Sequence, residues 1–248
     1  HVVDEMKADG IDISNLVLLD NYNTAMVIGV VEESSERHFF LWPPINGAHN
    51  QYTLDDTSRK DLLDCDWLHV SGISLRFSPV RETMLEAMRL CNEKSKIVSF
   101  DLNLRSELWG FSESFKETVL EAVSYSSIVF GNLHEEFLLI YDGNEDTLDK
   151  HISEKQTFIC RDGHNGALGI TNKDKVISNA IPISPVDSVG AGDAFNTGFI
   201  YASCCGKDIE ESLDIGNQVA AFKLLGSGAR HLPTKELLDD FNKKYQIN

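Results

Sequence analysis

The sequence predicts an α/β fold with a mostly parallel central sheet. From Leu54 onward, short apolar segments alternate with longer amphipathic segments, a pattern typical of parallel strands that are joined by crossover helices. Polar or glycine-containing motifs follow the apolar segments, at the strand ends where open α/β sheets bind their ligands. Before Leu54, two strand-like segments stand close together and predict a small, separate pair of β-strands.

The first elements are predicted to be a helix and a β-hairpin. The helix covers residues 1–8, and the two strands cover residues 24–32 and 37–42. The polar letters ESSE between the strands are typical of a hairpin turn. Pro43 and Pro44 then end the second strand, because proline lacks the N–H group that a sheet requires.

Parallel strands and their helices follow in alternation. The strands are predicted at residues 67–71, 97–100, 127–130 and 157–160, and helices between them at 80–93 and 113–124. The letters ALGIT and KVISNAI then predict an antiparallel strand pair, and two long helices follow near 194–205 and 210–225. We expect one cleft to be lined by the motifs at the strand ends, which are Gly72, Asp101-x-Asn103-x-Arg105, Gly131-Asn132-x-x-Glu135 and Arg161-Asp162-Gly163.

Composition and charge limit the classes of partner. The 248 residues carry a formal net charge of -17, which repels nucleic acid and anionic membranes, and no apolar run approaches the length of a membrane span. The five cysteines form no CxxC pair, so we expect reduced thiols in a cytoplasmic protein. Because the chain opens with His1 inside a predicted helix, we also expect that a natural N-terminal portion is missing.

The letters SPVDSVGAGDAFNTGF, residues 184–199, place two glycines directly before an acid and a helix-like segment. Gly190 and Gly192 permit positive φ angles and keep side chains away. The N–H groups of residues 190–192 and the positive end of the helix dipole could then meet one anion. This arrangement suits a phosphoryl group, or the charge that develops on it during transfer.

Asp193 would repel a simple phosphate ligand, so its place beside an anion-binding turn needs a reason. A carboxylate there could accept a proton from an attacking hydroxyl, as a general base. It could equally be an acidic cap at the start of the helix, worth about 1 kcal/mol. Other nucleotide-binding motifs do not occur, because the sequence lacks GxxxxGK[ST] and its GxGxxG pattern breaks at Phe195.

Five segments together resemble the ribokinase-like (PfkB) carbohydrate kinases. VDSVGAGDAFNTGF resembles their C-terminal signature with the core DTxGAGD, and NLHEE carries their NxxE motif. FDLNLRSELW resembles the D-x-N-x-R-x-x-L-W stretch of the fructokinase and 2-keto-3-deoxygluconate kinase branch, and ICRDGHNGAL and GNQVAAFKLLGSGA resemble nucleotide-side segments. The resemblance implies one ribokinase-like domain over residues 1–248, a three-layer sandwich with a small β lid at roughly residues 16–46.

The resemblance also implies an activity and its cofactors. It indicates an ATP-dependent sugar kinase that transfers the γ-phosphoryl group to a hydroxyl of a ketose or a sugar acid, with Mg²⁺ and a monovalent cation such as K⁺. Asp193 would be the general base, and Gly190, Ala191 and Gly192 would form the anion hole. Two alternatives stay open, a nucleoside or pyrimidine kinase on the same fold, and a non-catalytic regulator that binds sugar or nucleotide.

Nucleotide and metal residues follow from the same motifs. By the resemblance, Asn132 and Glu135 organise Mg²⁺ and the phosphates, although Asn-x-x-Glu is also a capping pair at a helix start. Asp187, with carbonyl groups near Val189 and Ser227, matches the monovalent-cation site. The remaining nucleotide-side residues are Arg161, Gly163, Gly166, Gly228 and Asn217, and Asn217 could equally be a helix-surface residue.

On the acceptor side, the resemblance assigns Asp101, Asn103 and Arg105 to the sugar. Arg105 could hold a carboxylate or a phosphate oxygen, or could form an ordinary surface salt bridge. Phe40 and Trp42 lie on the predicted lid and could wall off the substrate, or could simply pack on the core. In relatives such a lid covers the sugar and often pairs two subunits, so a homodimer through the lid is also implied.

Overall fold

The computed structural model describes residues 2–31, 37–43, 45–141 and 143–247. The predicted ESSE turn and Pro44 lie outside these residues. The chain divides into two compact units, His1–Ser126 and Ser127–Asn248. Within the described ranges, no helix has both the length and the apolar character needed to cross a membrane. All five cysteines are free thiols.

The first unit contains a hairpin and a parallel strand pair with helices. Its helices are α1 (Val2–Ala8), α2 (Asp56–Asp64), α3 (Val80–Glu93), α4 (Ser106–Trp109) and α5 (Glu113–Ser124), and its strands are β1 (Met26–Val31), β2 (Arg37–Trp42), β3 (Trp67–Ser71) and β4 (Ile97–Asp101). β1 and β2 pair antiparallel, which confirms the predicted hairpin. β3 and β4 pair parallel, so that Ser71 and Asp101 end side by side.

Sequence features explain where the helices of this unit begin and what they bury. Asp55 caps α2, because its Oδ1 accepts a hydrogen bond from the Ser58 amide at 2.7 Å while Ser58 Oγ accepts one from the Asp55 amide at 2.9 Å. α3 packs against β3 and β4 and contributes Met88 to a fully buried group. Apolar burial of this kind is the main stabilising term of the unit. The other members of that group include Leu75, Val98, Phe100 and Val119.

The second unit contains a four-stranded sheet and three long helices. Its strands are β5 (Ile128–Asn132), β6 (Thr157–Arg161), β7 (Ala167–Ile170) and β8 (Lys175–Ser178), and its helices are α6 (Leu138–Ile140), α7 (Ala191–Cys204), α8 (Ile209–Leu224) and α9 (Lys235–Tyr245). β5 and β6 pair parallel, whereas β6–β7 and β7–β8 pair antiparallel. The predicted antiparallel pair after Ala167 is therefore confirmed.

Aromatic packing fixes α7 on the sheet of the second unit. Phe199 of α7 meets Phe130 of β5 edge to face, with ring centroids 5.3 Å apart. Both rings are buried, together with Phe195 and with Leu213 of α8. Such aromatic pairs add about 0.5–1.5 kcal/mol beyond area burial. The same contacts set the position of the α7 N-terminus, where the predicted glycine turn lies.

Candidate active site

The glycine turn forms the N-terminal end of α7. Gly190 is the N-cap residue with φ 81° and ψ 6°, a left-handed conformation that favours glycine. A Cβ atom at this position would lie 3.1 Å from the Cβ of Ala229. Both conformation and close packing therefore explain the first glycine of the GAGD motif.

The amides of the turn do not all point the same way. The Ala191 N–H donates to the Ser188 carbonyl at 3.2 Å, and the Ala194 N–H donates to the Gly190 carbonyl at 2.9 Å as the first bond of the helix. The amides of a first helical turn have no acceptor within their own helix. Of the three residues predicted to form the anion hole, Ala191 thus has its amide engaged within the turn.

Asp193 lies in the first turn of α7 and is exposed. Its main-chain carbonyl accepts a hydrogen bond from Thr197 Oγ1 at 2.8 Å, one helical turn further on. A carboxylate in the first turn interacts favourably with the helix dipole. The carboxylate is therefore on the surface of the unit and beside the glycine turn.

A buried charge network lies under the turn. Arg161, at the end of β6, donates through Nη1 to Asn196 Oδ1 at 2.8 Å and to the Gly192 carbonyl at 3.2 Å. Its Nη2 lies 3.7 Å from Glu136 Oε2, and the two side chains are only 16% and 12% exposed. Arg161 therefore connects the end of a strand, an acid and the second glycine of the motif. The sequence did not indicate Glu136 or Asn196 as site residues.

Asn132 caps the segment that carries the NxxE motif. Its Oδ1 accepts hydrogen bonds from the amides of His134 at 3.0 Å and Glu135 at 2.9 Å, at the start of a π-helical turn over Leu133–Phe137. Glu135 is exposed, whereas Glu136 is buried and accepts a hydrogen bond from the Asn132 amide at 2.7 Å. Asn132 thus caps the helix start as the sequence allowed, but the acid that accepts from its amide is Glu136 and not the predicted partner Glu135.

Asp187 joins the segment before the turn to the end of α8. Its carboxylate accepts hydrogen bonds from the amides of Val189 at 3.0 Å and Gly228 at 2.9 Å. Its main-chain carbonyl accepts one from Lys223 Nζ at 2.6 Å. Because the carboxylate oxygens and the carbonyl are all engaged, Asp187 holds residues 187–190 in one conformation.

The predicted nucleotide-side residues of the second unit also have structural roles. Gly166 approaches the backbone so closely that a Cβ atom would lie 2.1 Å from the Ser178 carbonyl oxygen. The Asn217 side chain donates to that same carbonyl at 3.1 Å and to Ser178 Oγ at 2.8 Å. Gly163 has φ 55° with open space around it. Gly166 and Asn217 therefore fix the end of β8.

In the first unit, the predicted acceptor residues follow β4. Asp101 is buried at the strand end, and Asn103 Nδ2 donates to Ser71 Oγ at 2.9 Å. Asn103 and Arg105 have φ angles of 36° and 48°, which cost non-glycine residues on the order of 1–3 kcal/mol and are common at functional sites. Arg105 is half exposed and lies 3.9 Å from Glu107 Oε1.

Arg76 supports the loop that carries these residues, and the sequence did not indicate it. Its guanidinium lies 3.7 Å from the ring centroid of Phe115 and donates to the carbonyls of Gly110, at 3.0 Å, and Leu104. Burial lowers the pKa of Arg76 to about 10. The loop between β4 and α5 is therefore held by a charged group under it, in a cation–π contact.

The hairpin presents apolar side chains to solvent. Phe40 and Trp42 are 57% and 46% exposed. Across the hairpin they stand opposite Ile28 and Met26, which are also exposed. Directly opposite residues share one face of a strand pair, so these four side chains form one exposed apolar face.

Two cavities stand out among the described residues. One, of about 240 Å³, is lined by residues of the segments 145–149 and 170–175. The other, of about 520 Å³, is lined by residues of the segments 2–6, 15–24 and 48–52. Neither is lined by the glycine turn, and the described part of the chain contains no cluster of three or more acidic, His or Cys side chains arranged for a metal. The assignment of a site therefore depends on the chemistry of the α7 N-terminus.

Comparison with known proteins decides the family. Residues 1–236 match the profile of the pfkB family carbohydrate kinases. The chain belongs to this family. The family assignment confirms the resemblance and the prediction of an enzyme, a carbohydrate kinase.

Individual relatives differ in the acceptors that they are named for. The chain is 26% identical to a 5-dehydro-2-deoxygluconokinase of Clostridium perfringens over 253 residues, which are 98% of this chain and 74% of the relative. A crystal structure of an aminoimidazole riboside kinase from Salmonella enterica, complexed with aminoimidazole riboside and an ATP analog, matches with a TM-score of 0.80 and 25% identity, over 97% of this chain and 80% of that chain.

A third comparison concerns the fold alone. The crystal structure of fructokinase from Vibrio cholerae O395, in a fructose, ADP and calcium ion bound form, has a TM-score of 0.82 and 24% identity, over 96% of this chain and 80% of that chain. The predicted ribokinase-like α/β fold is confirmed.

Proposed function

We propose that this carbohydrate kinase transfers the γ-phosphoryl group of ATP to a hydroxyl of a ketose or a sugar acid, with Asp193 as the general base. One observation carries the proposal, which is the exposed carboxylate in the first turn of α7, directly after the left-handed Gly190. A surface carboxylate beside a helix N-terminus can reach both a hydroxyl and a phosphoryl group.

In the reaction, the acceptor oxygen forms a bond to the γ-phosphorus while the bond from that phosphorus to the bridging oxygen of ADP breaks. Asp193 takes the proton that the acceptor hydroxyl loses, which contributes typically ~10²–10⁴-fold to the rate. The Gly192 amide in the first turn of α7 and the positive end of the helix dipole stabilise the charge on the transferred group, whereas the Ala191 amide is engaged with Ser188.

Arg161 contacts the backbone of the glycine turn and does not act on the phosphate. Its guanidinium is engaged with the Gly192 carbonyl and Asn196, and Glu136 balances its charge. A Cβ atom at position 192 would lie 3.1 Å from Arg161 Nη1. We therefore assign Arg161 as a positioning residue for the second glycine of the motif.

Oxygen donors near the NxxE motif fit Mg²⁺, which prefers carboxylates, waters and phosphates. The exposed Glu135 would hold the ion together with the ATP phosphates, while Asn132 keeps Glu135 in place through its cap. When bound, the ion would neutralise charge on the phosphates.

On the acceptor, Asp101 and Asn103 would bind hydroxyls, and Arg105 a carboxylate. The left-handed conformations of Asn103 and Arg105 support this assignment, because such strain persists where a site needs it. The hairpin would act as a lid through the apolar face that contains Phe40 and Trp42, and the same face could pair two copies of the chain. The extent of the lid stays at roughly residues 16–46.

A nucleoside acceptor is the second candidate. It is favoured by the likeness to the Salmonella enterica riboside kinase, at 25% identity. A nucleoside presents its hydroxyls on a neutral ribose and has no carboxylate for Arg105 to bind. The two candidates therefore differ in how much they depend on Arg105.

An assay of acceptor-dependent ADP release tests the proposal. ATP is supplied with fructose, 2-keto-3-deoxygluconate, 5-dehydro-2-deoxygluconate or a nucleoside, and turnover is compared for the wild type, Arg105→Ala and the control Arg89→Ala, an exposed arginine of α3 that pairs with Glu93. We expect a ketose or sugar acid to be the best acceptor and Arg105→Ala to affect sugar acids most. A nucleoside as the best acceptor, unaffected by Arg105→Ala, favours the second candidate, and no release with any acceptor contradicts both.

A further inference from the structure

The monovalent cation implied by the family resemblance does not fit the described residues around Asp187. The place beside the Asp187 carbonyl is taken by an ammonium group, because Lys223 Nζ donates to that oxygen at 2.6 Å. Lys223 is 0% exposed. The ammonium group that donates to this carbonyl oxygen fills the space beside it, and its positive charge repels an alkali cation from the same place.

Full burial makes Lys223 unusual. Lysine is almost never fully buried unless it is paired, because removal of its charge from water is costly. Two features of the chain offset this cost. Lys223 lies in the last turn of α8, where the helix dipole favours a cation, and its partner Asp187 also carries a carboxylate, which accepts hydrogen bonds from Val189 and Gly228.

We propose that the ammonium group of Lys223 takes the place of the monovalent cation in this kinase. The inference rests on the proposed function, since it concerns the turn that leads into Asp193. An ammonium and a potassium ion carry the same charge and both bind carbonyl oxygens. The difference is that the lysine is part of the chain, so the site keeps its charge at any salt composition.

Lys223 influences the active site through its contact with Asp187. Its carboxylate holds the Gly228 amide at 2.9 Å, and Gly190 packs directly on Ala229, the next residue. The Val186 amide also donates to the Leu224 carbonyl at 2.7 Å, beside Lys223 in the chain. Lys223 is thus a positioning residue, because a displaced Asp187 carbonyl would release the turn before Asp193.

Exchange of the cation in solution tests the inference. ADP release by the wild type, Lys223→Met and Lys223→Ala is measured by chromatography, so that no coupling enzyme responds to the salt, in choline chloride, KCl or NH₄Cl at equal ionic strength. The control is Lys207→Met, an exposed lysine beside α8 that pairs with Glu211. The best acceptor of the wild type is used throughout.

We expect equal wild-type and Lys207→Met rates in all three salts. Both Lys223 variants should lose at least about tenfold in choline chloride, because misplaced catalytic groups cost on the order of 10²-fold per ångström. KCl and NH₄Cl should restore a large part of that rate. Restoration by a cation is a result that a merely structural lysine would not give.

Thermal unfolding supplies a readout without activity. KCl should raise the Tm of both Lys223 variants relative to choline chloride at equal ionic strength, because a ligand of the folded state stabilises it, and should leave the wild-type Tm unchanged. Wild-type activation or stabilisation by K⁺ overturns the inference, as do folded variants that no cation restores. Lack of turnover with every acceptor would contradict the proposed function instead, and the Tm comparison would still decide this inference.

Discussion

Replacement of Arg161 by methionine would leave the Glu136 carboxylate buried without its cation. Loss of one partner of a buried ion pair typically costs about 3–5 kcal/mol. The 3.7 Å separation and the 16% and 12% exposure of the side chains place this pair at the lower end of that range. The lost hydrogen bonds to Asn196 and the Gly192 carbonyl add to it, so we expect Arg161→Met to lower the free energy of unfolding by about 3–4 kcal/mol.

A double-mutant cycle separates the charge from the packing. Glu136→Gln removes the buried charge. Its destabilisation, measured as the loss of unfolding free energy, should therefore be about 1–3 kcal/mol smaller in the Arg161→Met background than in the wild type. Urea unfolding gives each free energy, and Arg89→Met, which breaks the exposed pair with Glu93, should cost less than about 1 kcal/mol. Additive costs for the two changes, or an Arg161→Met cost no larger than that of Arg89→Met, would refute the reasoning.

Two further predictions concern packing and pH. Gly72→Ala should lower the unfolding free energy by more than about 2 kcal/mol, because its Cβ would lie 2.0 Å from the Leu102 carbonyl oxygen. The control Gly206→Ala has open space around its Cβ, so it should lower the unfolding free energy by only about 1 kcal/mol, for its left-handed φ. Equal losses of Tm for the two variants would contradict this prediction. Burial raises the pKa of Cys91 from 9.0 to about 11, so the folded state holds this proton more tightly and the associated stability, present below pH 9.0, is lost as pH rises toward 11. Unfolding free energies measured across this range should fall more steeply for the wild type than for Cys91→Ala, and parallel curves would disprove the assignment.

The strands were the most predictable elements. β2 and β3 have the predicted bounds, Arg37–Trp42 and Trp67–Ser71, because proline or glycine follows each strand directly. α2 and α9 were not predicted. Each buries a single residue, Ser58 in α2 and Phe241 in α9. The buried residue of α2 is polar, so its apolar periodicity is weak, whereas Leu237, Leu238, Phe241 and Tyr245 of α9 do have helical spacing and could have indicated that helix.

The site residues that lie within one sequence motif were predictable, whereas those that come together from distant segments were not. The GAGD letters located the N-terminus of α7 and Asp193. Glu136 and Asn196 were missed, because their common partner Arg161 lies at the end of β6, distant in sequence from both, and long-range pairs leave no periodic signal. A signal for Asn196 existed, since it follows Gly192 by four residues and so lies on the same helix face.

The rate of phosphoryl transfer by the Asp193→Asn variant tests most directly the central claim, that Asp193 is the general base. Single-turnover transfer from labelled ATP to the best acceptor is measured together with the ATP Kd, and Asp208→Asn, at the N-cap of α8, is the control because asparagine caps as well as aspartate. A general base predicts an ATP Kd near the wild-type value and a transfer rate that falls by ~10²–10⁴-fold, with Asp208→Asn unchanged. A transfer rate for Asp193→Asn equal to that of Asp208→Asn would contradict the account.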